Sequence, residues 1–170
     1  NQELLNKINV FPVADRDTGT NLHALMKSIL LHSEAKTSFH ETAKSIAKAS
    51  LMGARGNSGA IFTQFFYGFT KQTLAHKTLT LENFCHLARE AAQSAHQAVH
   101  EPMTGTILSV MQTWSEACHK KMHSCLSFVE LMTSSLSESK TALTETKQSI
   151  KQIEPIFRLN IKKIQEAFQE

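Results

Sequence analysis

The sequence predicts an all-α fold of about seven helices joined by short connections. Three observations carry that expectation. Apolar residues recur at spacings of three and four along most of the chain. No alternating strand-like run occurs, and no Asn-Gly or Asp-Gly hairpin turn. The six Gly and three Pro fall in or beside short polar motifs or between helical stretches, except for a late Pro155.

Taken in chain order, the first periodic stretch is Leu22, Leu25, Met26, Ile29 and Leu30, with Thr20 or Asn21 as its start signal. A second stretch, Ile61, Phe65, Phe66 and Phe69, follows a Gly-rich loop and should begin near Ala60. A third carries Phe84, Leu87, Ala88, Ala91, Ala92, Ala95 and Val99, with Thr80 as its cap. Its alanines predict close helix–helix approach. Pro102 separates it from a fourth stretch, Ile107, Val110, Met111 and Trp114, which Thr104 or Thr106 should cap.

From about Thr133 the texture changes to Ser, Thr, Lys, Glu and Gln. The chain therefore divides into a bundle over 1–132 and a divergent helical segment over 133–170, in the same domain or as a docking extension. Ile150, Ile153, Phe157, Ile161, Ile164 and Phe168 form a seam in the second part, as in a coiled coil or a docking helix. Pro155 should break or kink it. A second copy of the chain is one surface that such a seam could cover.

Composition narrows the function classes. The net charge is +3, with basic residues scattered and no polybasic run, which argues against a nucleic-acid partner. No stretch approaches the ~20 apolar residues of a membrane span, and no signal peptide is visible, so a cytoplasmic location is expected. Cys85, Cys118 and Cys125 are widely spaced and form no CxxC pair, which reads as free thiols. Cys118, His119, His123 and Cys125 superficially resemble a zinc set. Ligands packed so closely leave no loop to wrap a tetrahedral ion, so a helix end and turn is the preferred reading.

Three motifs carry chemistry. Asp15 and Asp17 are carboxylates one residue apart, a spacing that lets both face one hard cation such as magnesium. Thr18, Gly19, Thr20 and Asn21 follow at a helix start, where backbone N–H groups and hydroxyls can cradle phosphate. An acidic turn capping a helix is the plainer alternative. The second motif runs from Leu51 to Gly59 and contains Arg55, Gly56, Asn57, Ser58 and Gly59. It is not a Walker sequence, since GxxxxGK[ST] is absent. The third, Thr104-Gly105-Thr106, again precedes a helix, and by itself reads as a cap. Three such helix starts favour one shared ligand site over three unrelated caps. His23, beside the first, reads as a helix-surface residue.

The strings LLNKINVFPVADRDTGTN, LMGARGNSGAIFTQFFYGF and TGTIL resemble the nucleotide-binding domain shared by the dihydroxyacetone kinase L subunit and the ATP-binding domain of bacterial fatty acid kinase. The first two forms look more like the fatty acid kinase branch. The resemblance covers about Leu4 to Leu131. It implies an antiparallel, barrel-like bundle of seven to eight helices that binds ATP or ADP with Mg2+ at one end. It also implies metal contacts at Asp15 and Asp17, with Asn9 near a third. Phosphate contacts fall at Thr18 to Asn21 and at Gly56 to Gly59, and contacts near base and ribose at Thr104 to Thr106. The implied activity is kinase transfer of the γ-phosphate to an acceptor held by a partner, either a DegV-type fatty-acid-binding protein or a dihydroxyacetone-binding subunit. The chain departs from the pattern at Arg16, where the family usually has Gly, and the family's closing Gly-rich segment is not recognisable. A non-catalytic bundle kept for partner binding or regulation is therefore the alternative.

Overall fold

The computed structural model describes residues 1–9, 16–71 and 79–145. These residues contain seven helices and no strand. They are α1 (Gln2–Ile8), α2 (Thr18–His32), α3 (Phe39–Gly53), α4 (Gly56–Gly68), α5 (Leu81–Gln97), α6 (Ile107–Lys121) and α7, helical over 128–145. The all-helical expectation holds. The seam from Ile150 to Phe168, with Pro155, lies outside the described residues. α7 runs without a break across the 132/133 boundary.

Helix starts follow local chemistry. Ser38 caps α3 by accepting from the Glu41 N–H, and Thr80 caps α5 by accepting from the Asn83 N–H. Thr106 caps α6 by accepting from the Leu108 N–H, which selects it over Thr104. Two starts differ from expectation. α2 begins at Thr18 with Asp17 as its N-cap, earlier than Thr20 or Asn21. α4 begins at Gly56 rather than near Ala60. Its start is early because Gly56 adopts φ +58, a left-handed entry that only a residue without Cβ makes at little cost. The loop between α3 and α4 shrinks to Ala54 and Arg55.

Consecutive helices pack against one another. Ser28 Oγ of α2 donates to the Ala49 carbonyl of α3 at 2.7 Å, and Gly53 lies against Ala24 and Leu25, so this pair is antiparallel. Gly68 of α4 sits against Ala91 and Ser94 of α5, while Phe65 clusters with Ala91, Ala92 and Ala95. Close approach through small residues is what the alanine pattern predicted, although the helix is the fifth, since α1 and α3 precede it. Cys85 Sγ of α5 donates to the Cys118 carbonyl of α6 at 3.2 Å.

The core has two centres. One gathers Phe65, Ala91, Ala92, Ala95, Leu108 and Met111. The other gathers Cys85, Cys118, Cys125 and Leu131, which brings α7 onto α5 and α6. Trp114 joins them, with its ring 5.9 Å from Phe65 and 6.2 Å from Phe84. Lys121 secures α7 from the α6 end, reaching the Ser134 carbonyl at 3.1 Å and Glu138 at 3.0 Å.

Candidate functional site

The starts of α2 and α4 meet at one end of the bundle. Asp17 precedes α2 and makes no side-chain cap bond, which leaves its carboxylate available to a cation. Its carbonyl accepts from the Asn21 N–H at 2.8 Å. Asn21 is buried and faces Gly56, where an added Cβ would overlap Asn21 Nδ2 and lie 3.6 Å from Asp17 Oδ2. Thus Asp17, Asn21 and Gly56 share one small space. Ser58 stands in the first turn of α4, and its Oγ is buried with no hydrogen-bond partner among the described residues. A buried hydroxyl left unpaired costs about 1–3 kcal/mol, so a ligand oxygen is a fitting partner.

Not every residue of the first motif faces that space. Gly19 is buried against α1, where an added Cβ would meet the Gln2 carbonyl and Asn6 Oδ1. The Thr20 N–H donates to Asn6 Oδ1 at 3.1 Å. The Thr20 hydroxyl accepts from Gln2 Nε2 at 3.2 Å and Asn6 Nδ2 at 3.1 Å. Gly19 and Thr20 therefore dock α1, a role sequence spacing did not reveal, and their polar groups are already engaged. Thr18 remains half-buried at the helix start. Asn57 is exposed beside Ser58, and Gly59 packs against Ala54 at the α3–α4 turn.

Asn9 is the C-cap of α1, and its N–H donates to the Leu5 carbonyl at 3.1 Å. Asp15 lies outside the described residues. Among the described residues no cluster of three or more His, Cys, Asp or Glu stands ready for a metal. Cys118, His119, His123 and Cys125 instead form a helix end and turn, with both thiols buried. His23 is exposed on α2.

The third motif stands at the start of α6. Ile61 of α4, Val99 just after α5 and Ile107 of α6 pack against one core cluster. Gly105 is buried at φ +74, and its N–H donates to Ser109 Oγ at 3.0 Å. Thr106 donates to the Met103 carbonyl at 2.8 Å and caps the helix, so its hydroxyl is engaged locally. Thr104 is exposed and lines an open groove of about 580 Å³ with Arg89, Gln93, His96, Ser109 and Gln112. The α5 side of this groove escaped the sequence reading, because Arg89, Gln93 and His96 lie on the polar face of a helix read for its apolar one.

Among the described residues, no helix is long and apolar enough to cross a membrane.

Comparison with known proteins bears on this end of the bundle. The sequence model of one family, the DAK2 domain, matches residues 12–163. An uncharacterized protein of Staphylococcus saprophyticus is 34% identical over 146 residues, covering 85% of this chain and 26% of that protein. One of Staphylococcus haemolyticus is 33% identical over 148 residues, covering 86% and 27%. One of Staphylococcus aureus is 36% identical over 134 residues, covering 78% and 24%. The chain thus spans about a quarter of the length of these curated relatives.

Proposed function

The chain belongs to the DAK2-domain family, dihydroxyacetone kinase L-subunit-like, and on that premise we propose that it binds ATP with magnesium and delivers the γ-phosphate to an acceptor held by a partner. The observation that carries this reading is the convergence of Asp17, Asn21 and Gly56 at two adjoining helix starts, with the unpartnered Ser58 hydroxyl in the first turn of α4. A carboxylate beside N-terminal backbone amides offers a metal ligand next to a phosphate cradle, which is what a nucleotide–magnesium complex needs. Magnesium held there by Asp17 would offset phosphate charge.

The chain's own residues divide the work. Asp17, with Asp15 beside it in sequence, holds the cation. Thr18, Asn57 and Ser58 offer hydroxyl, amide and backbone donors to phosphate. Gly56 keeps the cradle open, because any side chain there would fill it. Asn21 sets the wall between the two helix starts. The groove at Thr104 is suited to the base and ribose. Catalysis of this kind is positioning and charge neutralisation, and the domain supplies no nucleophile of its own.

The acceptor we favour is a fatty acid presented by a DegV-type protein, on the strength of the INVFPV and LMGARGNSG strings; dihydroxyacetone on a partner subunit is the other acceptor class. DAK2 domains work with partner subunits in kinase systems. Calorimetric titration with magnesium–ADP tests the core of the reading. Binding should be seen in the native chain and lost in Asp17→Ala and Asp15→Ala. A flat titration of the native chain removes the proposal, and acyl phosphate formed with a DegV-type protein would settle the acceptor.

A further inference from the structure

The outer faces of α2 and α3 are apolar and basic at once. Leu30 and Leu31 of α2 are 83% and 66% exposed, and Leu51 and Met52 of α3 are 68% and 64% exposed. Lys27, Lys44 and Lys48 are exposed on the same two helices. Helical spacing groups them. On α2, Leu30 and Leu31 follow Lys27 by three and four positions. On α3, Lys48 follows Lys44 by four positions, and Leu51 and Met52 follow Lys48 by three and four.

The two stripes border one joint. Ser28 Oγ donates to the Ala49 carbonyl, and Gly53 lies against Ala24 and Ser28, so these residues of the antiparallel helices are level with one another. Lys27 is then level with the turn from Lys48 to Met52. Asn21 and Leu25 of α2, and Ala43, Ala47 and Ser50 of α3, are buried and turn inward, which leaves both stripes on the outside. α2 carries no carboxylate, and α3 carries only Glu41, in its first turn. Among the described residues no hydrogen bond or ion pair engages the ammonium groups of Lys27, Lys44 and Lys48.

Large apolar side chains this exposed and this close together mark a contact surface. Their neighbours say of which kind. Protein interfaces are depleted in Lys and enriched in aromatic residues, whereas this face has three Lys and no Phe, Tyr or Trp at an exposed position. Leucine beside lysine, with carboxylates kept away, suits helices that lie on a bilayer. The ammonium groups meet lipid phosphates while the apolar side chains enter the acyl boundary. We propose that the α2–α3 face docks the chain on an anionic lipid surface. Such docking is peripheral, needs no spanning helix, and does not depend on the nucleotide reading.

Co-sedimentation of the full chain with lipid vesicles, without nucleotide, tests it. The chain should bind vesicles of phosphatidylcholine mixed with phosphatidylglycerol, bind less as salt rises, and stay in solution with phosphatidylcholine alone. Lys27→Gln and Lys48→Gln should each lower partitioning about fivefold, the factor set by one cation at an anionic surface. Leu30→Ser combined with Leu51→Ser should lower it by at least about tenfold. All four side chains are exposed, so melting temperatures should stay at the native value. Lys120→Gln, exposed on α6, should bind as the native chain does. A native chain that stays in solution with anionic vesicles at low salt overturns the inference and leaves the face to a protein partner. Binding that survives in the leucine variant, or that falls equally in Lys120→Gln, assigns the attraction to general charge and overturns it too.

Discussion

Gly56 at the start of α4 is pressed against the side-chain amide of Asn21 in α2, so closely that a methyl group on it would overlap Nδ2. The contact joins two motifs that lie 35 positions apart in the chain, and it is made by a residue at φ +58.

Gly56→Ala should therefore be disruptive in two ways. The left-handed backbone adds about 1–2 kcal/mol, and the overlap displaces Asn21 and with it the wall beside Asp17. Chemical denaturation should show a loss of at least about 1 kcal/mol, with weaker magnesium–ADP binding in the folded variant. An alanine variant as stable as the native chain would refute the description of this contact.

Asn6 and Thr20 make a second local test. Asn6→Ala removes two hydrogen bonds that tie α1 to the start of α2, one to the Thr20 N–H and one to its hydroxyl. Both are exposed to solvent, so the expected loss is modest, about 1 kcal/mol. Hydrogen exchange at the Thr20 amide should accelerate. If Thr20 instead contacts phosphate, nucleotide affinity will fall along with stability; on the arrangement described here it will stay close to native.

Gly68→Ala probes the α4–α5 interface. An added Cβ would overlap the Ala91 backbone and come within 2.9 Å of Ser94 Oγ. Backbone cannot move aside as a flexible side chain can, so the helices must separate. The expected cost is about 1–3 kcal/mol, the range of overpacked cores. A thermal melt of the purified variant reads it directly, and an unchanged midpoint would contradict the packing.

The buried thiols predict a pH dependence. Burial pushes the Cys85 thiol up to about 11 from 9.0, aided by the nearby Cys118 and Cys125. The folded chain then holds this proton where the unfolded chain releases it, so the native state binds more protons between about pH 9 and 11. Stability supplied by Cys85 is full below pH 9 and falls as pH rises toward 11. Urea midpoints across this range should decline less steeply in Cys85→Ala than in the native chain. At neutral pH all three thiols should react slowly with disulfide reagents until the chain unfolds.

Much of the fold was legible because its signals are local. The Thr80 cap, the Pro102 break and the apolar faces of α4, α5 and α6 each depend on a few neighbouring residues, and each holds, whereas Met26 and Leu30 of the periodic set in α2 are exposed and only Leu25 of that set is buried. The four-residue disagreement at α4 arose because Gly-rich sequence reads as loop. What turned Gly56 to Gly59 into a first helical turn was a single left-handed residue followed by packing on Asn21 and Ala54.

The candidate site shows the same division. The sequence by itself determined its chemistry, since a carboxylate pair before a Thr-rich helix start and a Gly-Asn-Ser helix start suit a cation and phosphate wherever they fold. Tertiary structure alone decided which of those residues share a space. It turned Gly19 and Thr20 toward α1, brought Asp17, Asn21 and Gly56 together, left the Ser58 hydroxyl unpaired and gave Arg16 its positive φ. The reason is physical. Residue type fixes what a group can bind, but burial and contact between distant helices fix which groups are free to bind it.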